Sequence, residues 1–468
     1  MPISPAENAM PDTAPLSGWG RCPVLTCRLI RAANFDALRD RLSHFGEMQT
    51  LIPRGMGRSY GDPALNDQQF VAPCTDFDRI LDFNPATGLL HAEAGVSLAD
   101  LMTHLLPRGF FVPTTPGTKF VTLGGAVAAD VHGKNHHRDG SFGNHVHSLE
   151  LLTADGEIRT CSSTENADLF AATLGGMGLT GIIRSVQLAL SRVPSAYCDV
   201  TYRRTANLDQ ALSLLEQTDA DYRYSVAWVD TLATGKSLGR SVVMLGNDAE
   251  GHSGAASGAA SGGGGHSYQM PARRRKSVPC DPPFNLLGRW TVAAFNRLFY
   301  ATHRDKQVVV DYDKFFYPLD AIAHWNRLYG KRGFVQYQVL LPPEQARIGL
   351  TRILEAVAAS GIGSFLTVLK KCGRQGPGLL SFMQPGYTLA MDLPNTGESL
   401  RVLAAKLDQI TLDHAGRLYL AKDALMHRDT FAAMYPNLER FRQIKRQYDP
   451  RNLFNSSQAR RLGIVEEP

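Results

Sequence analysis

The chain has 468 residues, of which 44% are hydrophobic and 20% charged, and its 49 basic and 44 acidic side chains leave a net charge of +5. This composition is close to the globular average, excludes a wholly disordered chain, and at this length suggests about two or three domains. So slight a basic excess gives no ground for a nucleic-acid partner, and there is no apolar run of about 18 residues to span a membrane. The Pro- and Ala-rich start, Met1 to Gly20, lacks the charged beginning and apolar centre of a secretory signal. The seven cysteines are odd in number and include no Cys-x-x-Cys, which predicts free thiols in a reducing compartment.

Taken in chain order, residues 1–16 read as a disordered tail. Val24 to Leu29 reads as a strand, and Phe35, Leu38, Leu42 and Phe45 then recur at helical spacing behind Asn34, a helix cap. Thr50 to Ile52 predicts a second strand ending at Pro53. Ile80 to Phe83 and Leu89 to Ala94 flank an Asn-Pro-Ala-Thr-Gly turn, and Ser97 with Asp100 forms a capping box. Residues 253–265 contain only Ser, Gly and Ala, which predicts a mobile loop. Arg273 to Lys276 are four consecutive cations, followed by an apolar segment carrying Phe284, Leu286, Leu287, Trp290, Phe295, Leu298 and Phe299. Strands return at Val308 to Val310, Val335 to Leu341 and Phe365 to Leu369, with helices around Leu350 to Val357 and Ala404 to Leu412. Asp449 to Phe454 reads as a turn into an aromatic anchor. The class is α+β.

Three glycine-rich stretches fall early: Gly55-x-Gly57 with Ser59 and Tyr60; Gly117-Thr118 to Gly124-Gly125; and Gly175 to Gly181. Glycine lets main-chain amides approach a ligand, and three such loops point to a nucleotide-type cofactor. Gly176-x-Gly178-x-x-Gly181 matches the dinucleotide fingerprint literally. That motif needs a strand before it and a helix after it, and here a helical pattern precedes and an alternating one follows, so a Rossmann fold is rejected. His132, His136 and His137 form no His-Glu-x-x-His and have no carboxylate at ligand spacing beyond Asp130, so no metal is expected and a polar site wall is the reading.

The first of these loops, Arg54-Gly55 through Tyr60-Gly61-Asp62, and the stretches Ser17-Gly18-Trp19-Gly20-Arg21, Val131-His132-Gly133-Lys134-Asn135-His136-His137, Gly140-Ser141-Phe142-Gly143-Asn144-His145 and Tyr419-Leu420-Ala421-Lys422-Asp423 resemble the vanillyl-alcohol oxidase type of FAD-linked oxidoreductase. Within it they resemble the branch that oxidises polyprenyl-phosphoryl ribose. The resemblance covers nearly the whole chain. It implies a two-domain flavoprotein: an FAD-binding domain over 17–196, an inserted substrate domain with an antiparallel sheet over 197–414 carrying a mobile loop at 247–280, and a segment 415–468 returning to the FAD domain.

The resemblance further implies that FAD is held by Arg54, Gly55, Met56, Gly57, Arg58, Ser59 and Tyr60 of the first loop, and by Gly117, Thr118, Thr122, Gly124, Gly125 and Ala128 of the second. His132, Asn135, Ser141, Gly181, Ile183 and Tyr419 complete the set. Many relatives attach FAD through a histidine where this sequence has Arg58, so the flavin is expected to be non-covalent. Ala390 stands where relatives carry a cysteine. Tyr60, His132, Lys134, Gln338 and Lys370 match positions lining the family's site, and Lys422 is the expected base or clamp for the sugar hydroxyl. The implied reaction is oxidation of a 2'-hydroxyl to a 2'-keto sugar for a short-chain-type NAD(P)H reductase partner, as the first half of a 2'-epimerisation. The alternative is an oxygen-using oxidase of a soluble alditol or aldonolactone. A lipid substrate implies peripheral docking at the inner face of the plasma membrane of an otherwise cytoplasmic protein.

Overall fold

In the computed structural model, which describes residues 12–250, 268–282 and 286–465, the first strand begins inside the expected tail. Asp12–Ser17 pairs antiparallel with Val24–Leu29 along its whole length. Disorder over 1–16 is therefore corrected for residues 12–16, while 1–11 lie outside the described residues. Pro15 is tolerated because this strand is the outer one of its sheet, where a missing N–H breaks no ladder on the open side. Val24–Leu29 and Leu51–Arg54 both run parallel to Phe70–Pro73 between them. Pro53 lies within its strand rather than ending it, again on a sheet edge.

A second, antiparallel sheet has the order Ile80–Asn84, Leu89–Glu93, Ile182–Ala189, Val146–Leu152, Ile158–Ser162. Helix Phe35–Leu42 is capped by Asn34, whose side chain accepts from Ala37 N–H, and Ser97 with Asp100 closes the expected capping box on Leu98–Leu105. Helix Ala167–Thr173 precedes the third glycine stretch and strand Ile182–Ala189 follows it, the reverse of the dinucleotide arrangement.

The third sheet has eight strands in the order Lys306–Asp311, Tyr197–Thr205, Ser241–Asp248, Tyr224–Val229, Thr367–Cys372, Gly386–Pro394, Phe334–Leu341, Arg417–Leu418. Helices Pro343–Ser360 and Glu398–Asp413 pack against it. The chain end then returns to the first sheet. Leu51 N–H donates to Leu453 O at 2.7 Å, Asn455 N–H donates to Leu51 O at 3.0 Å, and Phe454 is fully buried. Arg461 joins Asp62 at 2.7 Å and Asp423 at 2.8 Å.

The expected mobile loop needs correction at both ends. Residues 247–248 finish a strand, and Lys276–Ser277 pairs parallel with Ile322–Ala323. Tyr268 donates its hydroxyl to Val193 O at 3.2 Å. The Ser/Gly/Ala run 253–265 lies outside the described residues, as does Phe284. Among the described residues no helix is long and apolar enough to cross a membrane.

Candidate active site

The three glycine stretches converge. A Cβ on Gly55 would stand 2.3 Å from Thr122 Oγ1, and one on Gly178 would stand 3.1 Å from Pro53 Cγ, so the loops touch through bare main chain. Met177 N–H donates to Ala128 O at 2.9 Å and Gly175 N–H to Val127 O at 3.1 Å, tying the third stretch to the helix Leu123–Ala128 that ends the second. Among the described residues, the N–H groups of Gly55, Met56, Gly57, Arg58 and Ser59 donate to no protein acceptor, nor do those of Gly117 and Thr118. A Cβ at Gly117 would meet nothing within 4 Å. Unused amides around open space make a cradle for a group rich in acceptor oxygens.

Arg54 serves the cradle from behind: its guanidinium donates to Ala64 O at 3.1 Å and Ser17 O at 2.7 Å. Arg58 lies over the Trp19 ring at 4.1 Å and donates to Phe120 O at 3.1 Å. Asn135 gives its amide to Pro113 O at 2.8 Å and Asp139 at 2.6 Å, so its side chain fastens loops. Ile183 and Gly181 sit where Ile182–Ala189 joins Val146–Leu152.

The substrate side is built by strand alternation. Register places Gln336 opposite Asp392, Gln338 opposite Ala390, and Lys370 opposite Thr388, so these side chains share one face of the large sheet. His132 meets that face from the other side. It follows Asp130, a non-glycine at φ +39°. The Asp130 carboxylate accepts from Ser381 Oγ at 2.6 Å, Gly143 N–H at 2.8 Å and Ser141 Oγ at 2.9 Å, which holds the sharp turn in place. His132 Nε2 lies 3.0 Å from Gln338 Nε2 and its Nδ1 3.0 Å from Lys370 Nζ. Tyr419, stacked on Phe382 and bonded to Ala129 O at 2.7 Å, walls the imidazole.

Burial dominates the ionisation of this cluster. It pushes His132 well below its ordinary pKa, helped by Lys370, His136 and Lys422. It pushes Lys370 down to about 8 and Lys422 down to about 7. Asp392 favours the Lys422 ammonium and Lys370 opposes it. Lys422 Nζ lies over the Tyr60 ring. Lys134 is also pushed to about 7 by burial, but its ammonium donates to Phe315 O and lies over the Phe315 ring at 4.2 Å, turned into an aromatic cluster. Five of the six residues expected to line the reaction site thus come together, and Lys134 stands beside them. Among the described residues no cluster of three or more histidine, cysteine or carboxylate ligands is arranged for a metal.

An FAD-binding-domain model matches residues 28–162, and a D-arabinono-1,4-lactone oxidase model matches 399–462. The chain is 36% identical over 97% of its length to decaprenylphosphoryl-β-D-ribose oxidase of Mycolicibacterium smegmatis, covering 98% of that protein. The chain belongs to this oxidase family. It is an FAD-dependent oxidoreductase. It is also 32% identical to an uncharacterised Streptomyces coelicolor protein, over 79% of this chain and all of that one. With bovine L-gulonolactone oxidase the identity is 32%, over 29% of this chain and 30% of that one.

The amide cradle fits FAD, whose pyrophosphate supplies the acceptor oxygens. Residues 54–59, 117–118 and 122–128 would hold it. Sequence reasoning missed Asp392, Gln336 and Thr388. Asp392 is fully buried and accepts from Gln336 Nε2 at 2.5 Å. Its second oxygen, like the Tyr329 hydroxyl, has no partner among the described residues. Burial pushes its carboxyl up to about 7, against Gln336 and Lys422. The available signal was a lone carboxylate ending the otherwise apolar stretch Leu389-Ala390-Met391.

Proposed function

We propose that this chain oxidises the 2'-hydroxyl of a polyprenyl-phosphoryl ribose to the 2'-keto sugar, the first half of an epimerisation completed by a short-chain-type NAD(P)H reductase. The observation that carries the reading is the pair of lysines, Lys422 and Lys370, gathered with His132 against the face of the large sheet that carries Gln338, beside the cofactor cradle. Similarity along nearly the whole chain to an oxidase of that lipid sugar supports the substrate.

Bound FAD supplies the hydride acceptor. The protein's task is the hydroxyl proton. A lysine near neutrality is a usable base, and Lys422 Nζ takes the proton while Gln338 and His132 orient the sugar oxygens. Lys134 places positive charge near the sugar phosphate, and Lys370 braces the His132 imidazole. We further infer that FAD is non-covalent, since Arg58 cannot form the histidine link and its guanidinium is already engaged. Docking at a lipid surface would run through helix Arg289–Thr302, which exposes Trp290 (84%), Leu298 (63%) and Phe295 (41%).

Mass spectrometry of the product from a polyprenyl-phosphoryl ribose tests the reading: loss of two hydrogens is expected, and an unchanged lipid refutes it. A second reading, oxidation of a soluble aldonolactone or alditol by oxygen, is favoured by the lactone-oxidase match at 399–462. Rapid peroxide formation with such sugars would establish it.

A further inference from the structure

We propose that Thr388 is a positioning residue for this site: through Gln338 and His132 its hydroxyl keeps Lys370 as a neutral amine. Thr388 is fully buried on strand Gly386–Pro394. A threonine hydroxyl has one proton to give, and Thr388 gives it to Val339 O at 2.8 Å. Toward Gln338, 3.1 Å away, Thr388 Oγ1 can therefore only accept, which fixes the amide with its NH2 on that side. The same NH2 group lies 3.0 Å from His132 Nε2. That ring nitrogen must then be bare, and the neutral imidazole carries its proton on Nδ1. Nδ1 faces Lys370 Nζ at 3.0 Å, and only an amine with a free lone pair can accept from it. Lys370 keeps an N–H directed at Gly133 O, 3.4 Å away.

The opposite order of bonds is possible only if Thr388 lets go. Without its hydroxyl, Gln338 can turn its carbonyl to His132, the imidazole proton moves to Nε2, and Nδ1 accepts from a Lys370 ammonium. The groups facing this pair are His136, whose ring stands edge-on to His132 at 6.3 Å, together with Lys422, Lys134 and the Cys372 thiol. The three cationic or ionisable bases among them all oppose a further charge on Lys370 or His132, in agreement with the neutral arrangement. Thr388 thus sets the charge beside Lys422 without touching the substrate.

The catalytic consequence rests on the function proposed above; the order of hydrogen bonds does not, and the two are tested separately. Nitrogen-15 spectra of the histidine-labelled FAD holoenzyme, with His132 assigned by its loss in His132→Gln, should show the Nδ1–H tautomer. An Nε2–H tautomer in the unmodified enzyme overturns the proposal whatever the substrate proves to be. Thr388→Val should show a mixed or reversed tautomer. It should also move the acid limb of kcat/KM, which Lys422 sets, to lower pH by about one unit, because a Lys370 ammonium opposes the Lys422 ammonium, so that rates below the limb rise about tenfold, and Thr388→Ser should restore both. A Thr388→Val enzyme with the unmodified tautomer and pH profile overturns it as well. If the valine variant does not fold, the wild-type tautomer alone decides.

Discussion

Lys422 Nζ lies 4.0 Å from the centre of the Tyr60 ring, and the main chain keeps the two together, because Tyr60 N–H donates to Ala421 O at 2.9 Å. A residue of the first glycine loop and one near the chain end are thus stitched into one site. The ring face favours the ammonium and burial favours the amine. Lys422→Ala removes the amine without touching the amides of 55–59. It should keep the yellow flavin and lower turnover on the order of 10²- to 10⁴-fold. Absorbance and turnover of the purified variant check this, and wild-type turnover would refute the role.

The same lysine sets a pH dependence. Its pKa is pushed down to about 7 and the neutral amine is the competent form. kcat/KM should therefore rise as pH increases through about 7 and level off above it. Asp392 is the charge that favours the ammonium, so Asp392→Asn should move the limb to lower pH while Gln336 keeps an oxygen acceptor. A limb displaced to higher pH would show that Asp392 acts otherwise.

The non-covalent flavin proposed above rests on Arg58. Its guanidinium is spent on Trp19 and Phe120 O, and it offers no nucleophile. Acid precipitation should release all the flavin to the supernatant. Flavin kept in the pellet would falsify non-covalent binding.

Asp130 ties together distant stretches of the chain. Its carboxylate holds Ser141 and Gly143 of its own loop and Ser381, just ahead of strand Gly386–Pro394. Asp130→Ala strands three buried donors and should destabilise the fold by about 3–5 kcal/mol. Asp130→Asn, which suits a positive φ, should cost less. Thermal unfolding of the two variants in the same buffer gives the comparison, and equal midpoints would remove Asp130 from this role.

Local patterns reported themselves in the sequence because their causes are local. The Asn34 cap, the Ser97–Asp100 box and the helix-then-strand context of Gly176–Gly181 each depend on residues a few positions apart. Lys422, His132 and Gln338 were legible only through motif resemblance, since nothing in their own neighbourhoods says that they meet. Asp392 and Thr388 were missed because their roles come from strand register, which pairs 336 with 392 and 370 with 388 across long stretches of chain. The strand at 12–17 was missed for a related reason: its Pro and Ala residues carry little strand preference, and a neighbouring edge supplies the pairing.

The fold also changes the argument for membrane docking. Of the four cations at 273–276, Arg273 is paired with Asp311, and Arg275 donates to Asp320 O at 3.0 Å and lies over Phe120 at 4.4 Å. Those two are partly committed to the protein, so charge contributes less than a free run of four at about 1 kcal/mol each. In the proposed docking the apolar face would contribute more. Trp290 and Leu298 stand out from helix Arg289–Thr302, while Val292 and Asn296 of the same helix are buried and anchor it. Burying two such side chains is worth about 1.5–3 kcal/mol each. Flotation with anionic vesicles should therefore show binding that weakens only in part at high salt. It should be largely lost in Trp290→Ser/Leu298→Ser, with flavin content and turnover of detergent-dispersed substrate retained. Binding abolished by salt alone, and unaffected by the double substitution, would assign the docking to the basic run instead of the helix.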